Sequence, residues 1–257
     1  MKYIITVIII LFTFLTPSEA SDLKEAKDIY KQAVEEYKDG NFRQAYELFN
    51  DIIDRGYSSF SLYYNTGNAA FKTGEIPSAI LNYEKSLLLK PFNEDARYNL
   101  EIAKTYTVDK LEVIPEIFFV EWFRTLSLTL RSNHWAAGAL FFFTVSVVLL
   151  AVFLFSARYR VKKISFAGAL TLFILFLFTL GLGLTNRSLT ANNNEAIIFE
   201  PVVTGSSSPG TGGNELFVIH EGTKVEILDK LGDWYEISLS DGTIGWIPAG
   251  NAKKIIP

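Results

Sequence analysis

The sequence predicts a multidomain membrane protein that joins all-α helical repeats, two transmembrane helices and a small all-β barrel. Three observations predict it: a self-similarity with a period of 34 over residues 22–106, two runs of 21 residues without a charge, and five short strand-like runs near the end of the chain. Charge is distributed unevenly. Residues 21–112 carry 12 Lys/Arg against 16 Asp/Glu, residues 113–184 carry 6 against 2, and residues 185–257 carry 5 against 9. Both polar segments are mildly acidic, which argues against nucleic acid as a partner, because phosphate binding needs a basic surface. The chain has no cysteine, so neither a disulfide framework nor a thiolate metal site is available.

In chain order, "MKYIITVIIILFTFLTPSEAS" has one lysine, an apolar core, a breaking Pro17, and small residues at Ser18 and Ala20. This pattern predicts a secretory signal, residues 1–20, cleaved after Ala20. The alternatives are a buried strand or an uncleaved anchor, and an anchor would still send the following segment outward.

Residues 22–106 divide into copies at 22–57 and 58–91 and a capping helix at 94–106. A shift of 34 superposes Gly40 on Gly74, Ala45 on Ala79 and Phe49 on Tyr83, and Pro91 closes the second copy. The alanines let two antiparallel helices approach closely, and the aromatic rings fill the space beside them. This segment resembles the tetratricopeptide repeat, whose pattern is matched by Gly67, Gly74, Ala79, Tyr83 and Pro91. The first copy departs from it at Ala33 and Tyr57. Tyr30, Tyr64 and Tyr98 recur at one repeat position, which the resemblance places on a concave, peptide-binding groove. Tyr37 and Phe71 lie seven residues further along, and Asn65 and Asn99 match the family's groove asparagine. These seven residues form the candidate protein-binding groove; the alternative is that the tyrosines pack between helices. Tyr64→Ala is expected to weaken partner capture without unfolding the domain. Tyr30, Val34 and Asp95 stand where some relatives carry a Lys or Asn clamp for a terminal carboxylate, so a chaperone-tail receptor is disfavoured.

Residues 113–133 mix aromatics with charges and predict an amphipathic juxtamembrane segment. It is either an interfacial helix, with Trp122 and Trp135 at headgroup depth, or a helix packed under the soluble domain. Residues 135–155 and 164–184 are each long enough to span hydrocarbon at about 1.5 Å per residue. The loop at 156–163 carries Arg158, Arg160, Lys162 and Lys163, against Arg124, Arg131 and Arg187 on the opposite flanks. The positive-inside rule makes that loop cytoplasmic and both polar segments external.

Residues 185–195 read as a polar linker, and residues 196–257 read as a small barrel with strands in "AIIF", "ELFVI", "KVEIL", "WYEISL" and "IGWIPA". Asp241 and Gly242 mark a hairpin turn. This segment resembles a bacterial SH3 domain at Gly232, Trp234, Ile237, Gly242, Gly245, Trp246 and Ile247. "VVTGSSSPGTGGN" replaces the family's basic early turn. Trp246 is expected in the core, and of Trp234 and Tyr235 only one can face inward.

No catalytic site is legible. His134 and His220 are the only histidines, no Gly-x-Ser-x-Gly elbow exists, and "SPGTGGN" lacks the lysine of a phosphate-binding loop. A non-enzymatic protein without metal or cofactor is expected. The order of signal, repeats, two spans and SH3-like barrel resembles Bacteroides aerotolerance proteins of the BatE type. That resemblance implies a scaffold of a bacterial inner membrane, with the N- and C-terminal domains in the periplasm, in an oxygen- or envelope-stress complex, acting beside von Willebrand A-type membrane proteins and a MoxR-type ATPase. The alternative is a peptidoglycan-binding sensor acting through the SH3-like domain. A channel subunit is a third class, disfavoured because neither span carries an internal charge.

Overall fold

A computed structural model of the chain describes residues 18–110, 117–191, 194–210 and 212–256. The expected signal peptide therefore lies outside the described residues, except for Ser18–Ala20, which begin a helix. Among the described residues are eight α-helices and seven strands. They divide into two compact units, one joining the N-terminal helices to the C-terminal sheet, the other holding the apolar helices that separate these in sequence.

The first unit begins with α1 (Ser18–Lys38), α2 (Phe42–Asp54), α3 (Phe60–Lys72), α4 (Ile76–Leu89) and α5 (Glu94–Thr105). The turns after α1 and α3 are built alike. Gly40 and Gly74 sit at φ 84° and 81°, a region that strains any residue with a Cβ. The next N–H, of Asn41 or Glu75, donates to the carbonyl five residues back, in Glu36 or Ala70. Ser59 and Asn93 cap α3 and α5, each accepting a backbone N–H with its side chain. Within the array Ala33, Ala45, Ala69 and Ala79 are fully buried, which brings helix backbones together, and the Phe49 and Tyr83 rings fill the remaining space. Gly67 belongs to the same fit, since a Cβ there would lie 2.7 Å from the Tyr83 ring.

The sheet contains β1 (Glu195–Ile198), β2 (Val202–Ser206), β3 (Glu215–His220), β4 (Lys224–Leu231), β5 (Trp234–Ser238), β6 (Ile244–Pro248) and β7 (Ala252–Lys254). Their order is β3-β2-β6-β5-β4-β1-β7. The five-strand expectation misses β2 and β7. In β2 the inward positions are Val203 and Gly205, and the Phe217 ring of β3 occupies the space a side chain at Gly205 would need. The apolar alternation that would betray a strand is therefore carried by its neighbour. Strand β7 is short and polar, and only its pairing with β1 defines it.

Ala196, Ile197 and Ile198 are all fully buried, although β1 lies next to the edge of the sheet. The reason is the helical array. Ile197 and Ile255 share a core cluster with Ala70, Ala79, Ile80, Leu100 and Ala103, and Phe199 packs against it. Residues 94–106 therefore do not close the array by themselves: the apolar face left by α4 and α5 is covered by β1 and the residue after β7.

The second unit consists of α6 (Phe118–Ser127), α7 (Ser132–Phe155) and α8 (Tyr159–Ala191). Helices α7 and α8 are long and apolar enough to cross a membrane. Only 11% and 17% of their most apolar windows are buried, unlike the core helices of a soluble protein. They pack antiparallel along Ala139, Ser146, Ser165 and Ala169, with Ser146 Oγ donating to the Ala169 carbonyl at 2.8 Å. Two boundaries are corrected. The basic loop 156–163 shrinks to Ser156–Arg158, because α8 already begins at Tyr159 and takes in Arg160, Lys162 and Lys163. The linker 185–195 is helical to Ala191, since "TNRSLTA" has neither Gly nor Pro to stop α8 and Asn186 is held by a bond to α6. Helix α6 packs on α8, with Phe123 and Phe178 edge to face at 5.9 Å, and belongs to this unit rather than to the helical array.

Candidate functional site

Helices α1, α3 and α5 carry the tyrosine register, and hydrogen bonds link each to the next. Asn65 Nδ2 donates to the Tyr30 hydroxyl at 2.7 Å, and Asn99 Nδ2 donates to the Tyr64 hydroxyl at 3.1 Å. Asn99 Nδ2 also reaches Asn68 Oδ1 at 2.9 Å, which accepts from the Tyr83 hydroxyl at 2.8 Å. The structure thus brings six polar groups from four helices into two hydrogen-bonded sets, Tyr30 with Asn65 and Tyr64 with Asn99, Asn68 and Tyr83. Tyr30 and Tyr64 are half-buried and serve as ties between helices as well as surface. Tyr64 stacks on Phe60 at 5.7 Å with planes 9° apart, so Tyr64→Ala would remove packing together with any partner contact.

Tyr37 meets Phe42 edge-on at 5.0 Å and Phe71 meets Tyr106 edge-on at 5.3 Å. Burial, helped by Tyr64, pushes the Tyr37 phenol up, and burial pushes up the phenols of Tyr63 and Tyr83. These hydroxyls stay protonated, leaving an aromatic and amide-lined face suited to backbone or amide groups. Tyr98 continues the register at the end of the array and is 68% exposed. It is the most open of the predicted groove residues.

On the sheet, Trp234 pairs with Pro248 and Glu236 pairs with Trp246 across β5 and β6, which places Trp234 and Trp246 on one face. The opposite face carries Ile237 and Ile247, both fully buried. Trp246 is therefore half-exposed rather than in the core; the alternation puts Ile247 there instead. Tyr235 takes the inward position and remains half-buried, with the Lys230 and Lys254 ammonium groups each 5.7 Å from its ring. Of the cationic candidates at the α7–α8 turn, Lys162 lies 5.9 Å from the Phe153 ring.

A third cluster escaped the sequence. Asp109, whose side chain is 11% exposed, grips the turn between β3 and β4. Its Oδ2 accepts from the His220 N–H at 2.7 Å and the Thr223 hydroxyl at 2.6 Å, while Oδ1 lies 2.9 Å from His220 Nδ1. Desolvation pushes the Asp109 carboxyl up, but the bonds from Thr223 and His220 and the nearby imidazole outweigh it and hold the group below its ordinary value. Beside it Glu84 links Lys224 of β4 at 3.1 Å to Lys104 of α5 at 3.7 Å. Gly222 comes so close to the array that a Cβ there would meet Thr107 at 2.7 Å.

Asp109, His220 and Thr223 have the composition of a hydrolase triad but not its geometry. The hydroxyl donates to the carboxylate, so the imidazole is not placed as its base. The set acts as a clasp between array and sheet. No local signal could have revealed it, because Asp109 and His220 stand 111 positions apart.

Residues 207–253 match the family described as Bacterial SH3 domain. The C-terminal sheet is accordingly a bacterial SH3 domain, preceded in the chain by an all-helical region and two long apolar helices. No curated protein matches the chain.

Proposed function

We propose that the protein is a non-enzymatic scaffold of a bacterial inner membrane that holds a composite binding unit in the periplasm. The observation that carries the reading is the fusion of array and SH3 domain into one unit, although two apolar helices intervene in the chain. Two crossings return a chain to the side it left, which is what a clasp between Asp109 and His220 requires. The array is a short tetratricopeptide-type stack whose Tyr98 end takes an extended or helical peptide from a membrane-anchored partner. The order of domains resembles the BatE type, and supports a von Willebrand A-type membrane protein as that partner. Confinement to one bilayer raises the effective concentration of both.

A second reading is supported by the shared outer face of Trp234 and Trp246, which suits sugar rings of peptidoglycan. One experiment separates the two. A photo-reactive phenylalanine analogue is placed at Tyr98 or at Trp246 in living cells, and the adducts are identified. The scaffold reading expects a discrete protein adduct at Tyr98 and no glycan at Trp246. Glycan adducts at Trp246 with none at Tyr98 would replace it with the wall-binding reading.

A further inference from the structure

Where the sheet closes the helical array, two lysines from distant parts of the chain come to one rim. Lys253 pairs with Ile197 across β7 and β1, so the two share a face of the sheet. Ile255 returns to that face, since side chains alternate along a strand. Ile197 and Ile255 are the residues that enter the core cluster of α4 and α5, so Lys253 stands on the side turned toward the array. On α4, Leu81 belongs to the cluster and Leu88 packs against it. Lys85 lies between them at helical spacing, on the same side of the helix. The two charges act on each other: burial, and then Lys253, push the Lys85 ammonium below its ordinary value.

Each ammonium rests near a ring. Lys85 Nζ lies 5.6 Å from the centre of the Tyr63 ring of α3, and Lys253 Nζ lies 4.1 Å from that of Phe199. Among the described residues neither has a carboxylate partner, because Glu84, next to Lys85 in the chain, is taken by Lys104 and Lys224. The Tyr63 hydroxyl also has no hydrogen-bond partner among the described residues, and burial keeps it protonated. Like charges gathered at a half-buried rim weaken the joint, and an anion between them reverses the sign of the interaction. The surroundings limit what that anion is. Both polar segments of the chain are acidic, so a polyanion would be repelled, whereas one carboxylate brings no more charge than two ammonium groups take up.

We propose that the rim between α4 and β7 is a carboxylate-binding site, in which Lys85 and Lys253 bridge one carboxylate and the Tyr63 hydroxyl donates to it. The Tyr63 and Phe199 rings offer apolar surface to the carbon stem of the ligand. The carboxylate comes either from an acidic side chain on another protein or from a small free acid. The site exists only when array and sheet are joined, and it does not depend on which partner the Tyr98 end takes.

The test follows acetylation of Lys85 in the full chain in detergent, using a trace of an activated ester and mass spectrometry of the Lys85 peptide. The rate tracks the neutral fraction of the amine. Two carboxylate probes are compared at constant ionic strength: acetate, and the blocked tripeptide acetyl-Gly-Glu-Gly-amide with its Gln counterpart as control. Saturating carboxylate should slow labelling of Lys85 by roughly tenfold, the effect of an opposite charge at contact distance on an amine. Labelling of Lys90, whose ammonium lies over Phe60 instead, should not change. Protection by the Glu peptide at lower concentration than acetate assigns the carboxylate to a protein side chain, and protection by acetate at equal or lower concentration assigns it to a free acid. Lys253→Gln, at an exposed position whose strand pairing runs through the backbone, should abolish protection by both. Tyr63→Phe keeps the ring and should raise the concentration needed by roughly tenfold, the worth of one hydrogen bond to a charged group. The proposal is overturned if neither probe protects Lys85, if protection survives in Lys253→Gln, or if chloride or the Gln peptide protects equally. Stronger protection by inorganic phosphate than by either carboxylate would overturn the choice of ligand.

Discussion

At the scale of residues, Asp109 decides more than any other side chain how the chain is organised. It accepts from two residues of the SH3 domain while standing just after α5, and an amide in its place keeps one acceptor oxygen but loses the charge and turns the other oxygen into a donor. Asp109→Asn should destabilise the unit by about 1–3 kcal/mol at neutral pH. The pH dependence has a definite sign. Because the folded carboxyl titrates below its ordinary value, its contribution is present above the unfolded value of about 3.9 and disappears as pH falls through the folded one. Thermal unfolding of the full chain in detergent should therefore show a gap between wild type and variant at pH 7 that closes below about pH 4. A gap that persists unchanged at acid pH would remove Asp109 from this role. The same scale revises the choice of probe in the groove. Tyr64 is tied to Asn99 and stacked on Phe60, so Tyr98, open at the end of the register, is the residue whose loss reports on a partner alone.

Among elements, α5 is the piece whose stability depends most on something distant in the chain. Leu100 and Ala103 face a cluster completed by Ile197 and Ile255 of the sheet. Ile255 follows the last strand, so Ile255→Asp places a charge at the docking surface while sparing the strands of the barrel. Losing that contact should cost roughly 2–5 kcal/mol, which would speed local opening at least about tenfold. Hydrogen exchange should register the change across Glu94–Thr105 with little effect on α1 and α2. If α5 retained wild-type protection, the sheet would not be its cover. Much of this level was legible: period and turn glycines marked the helix pairs, and five of the strands announced themselves as short apolar-rich runs bounded by turn residues. The misses share a physical cause. Strand β2 hides its apolar partner on β3, the end of α8 carries polar residues that helices tolerate, and Trp246 alternates away from a core that Ile247 fills.

For the whole molecule, the composite unit constrains topology more tightly than counting of basic residues does. Reporter fusions inserted at Gly56, in an exposed turn, and after Ile256 should report the same side of the membrane, and that side should be the periplasm. Activity of the two reporters on opposite sides would be incompatible with a joint unit. Lys253 is unsuitable as a fusion point, because it pairs with Ile197 in the sheet.

The sequence by itself determined the elements and their classes: a 34-residue helical register, two apolar helices joined by a basic turn, and a bacterial SH3 domain. The helices and strands follow from periodicity and composition, which act over a turn of helix or a few residues of strand, and the SH3 class follows from motif residues that resemble that family. Only the tertiary structure decided that the SH3 domain closes the helical array and that α6 leans on α8. Both arrangements depend on surfaces that no segment can satisfy alone, an uncovered apolar face in one case and the Ser127 carbonyl that Asn186 meets in the other, and their partners come from the far side of the chain.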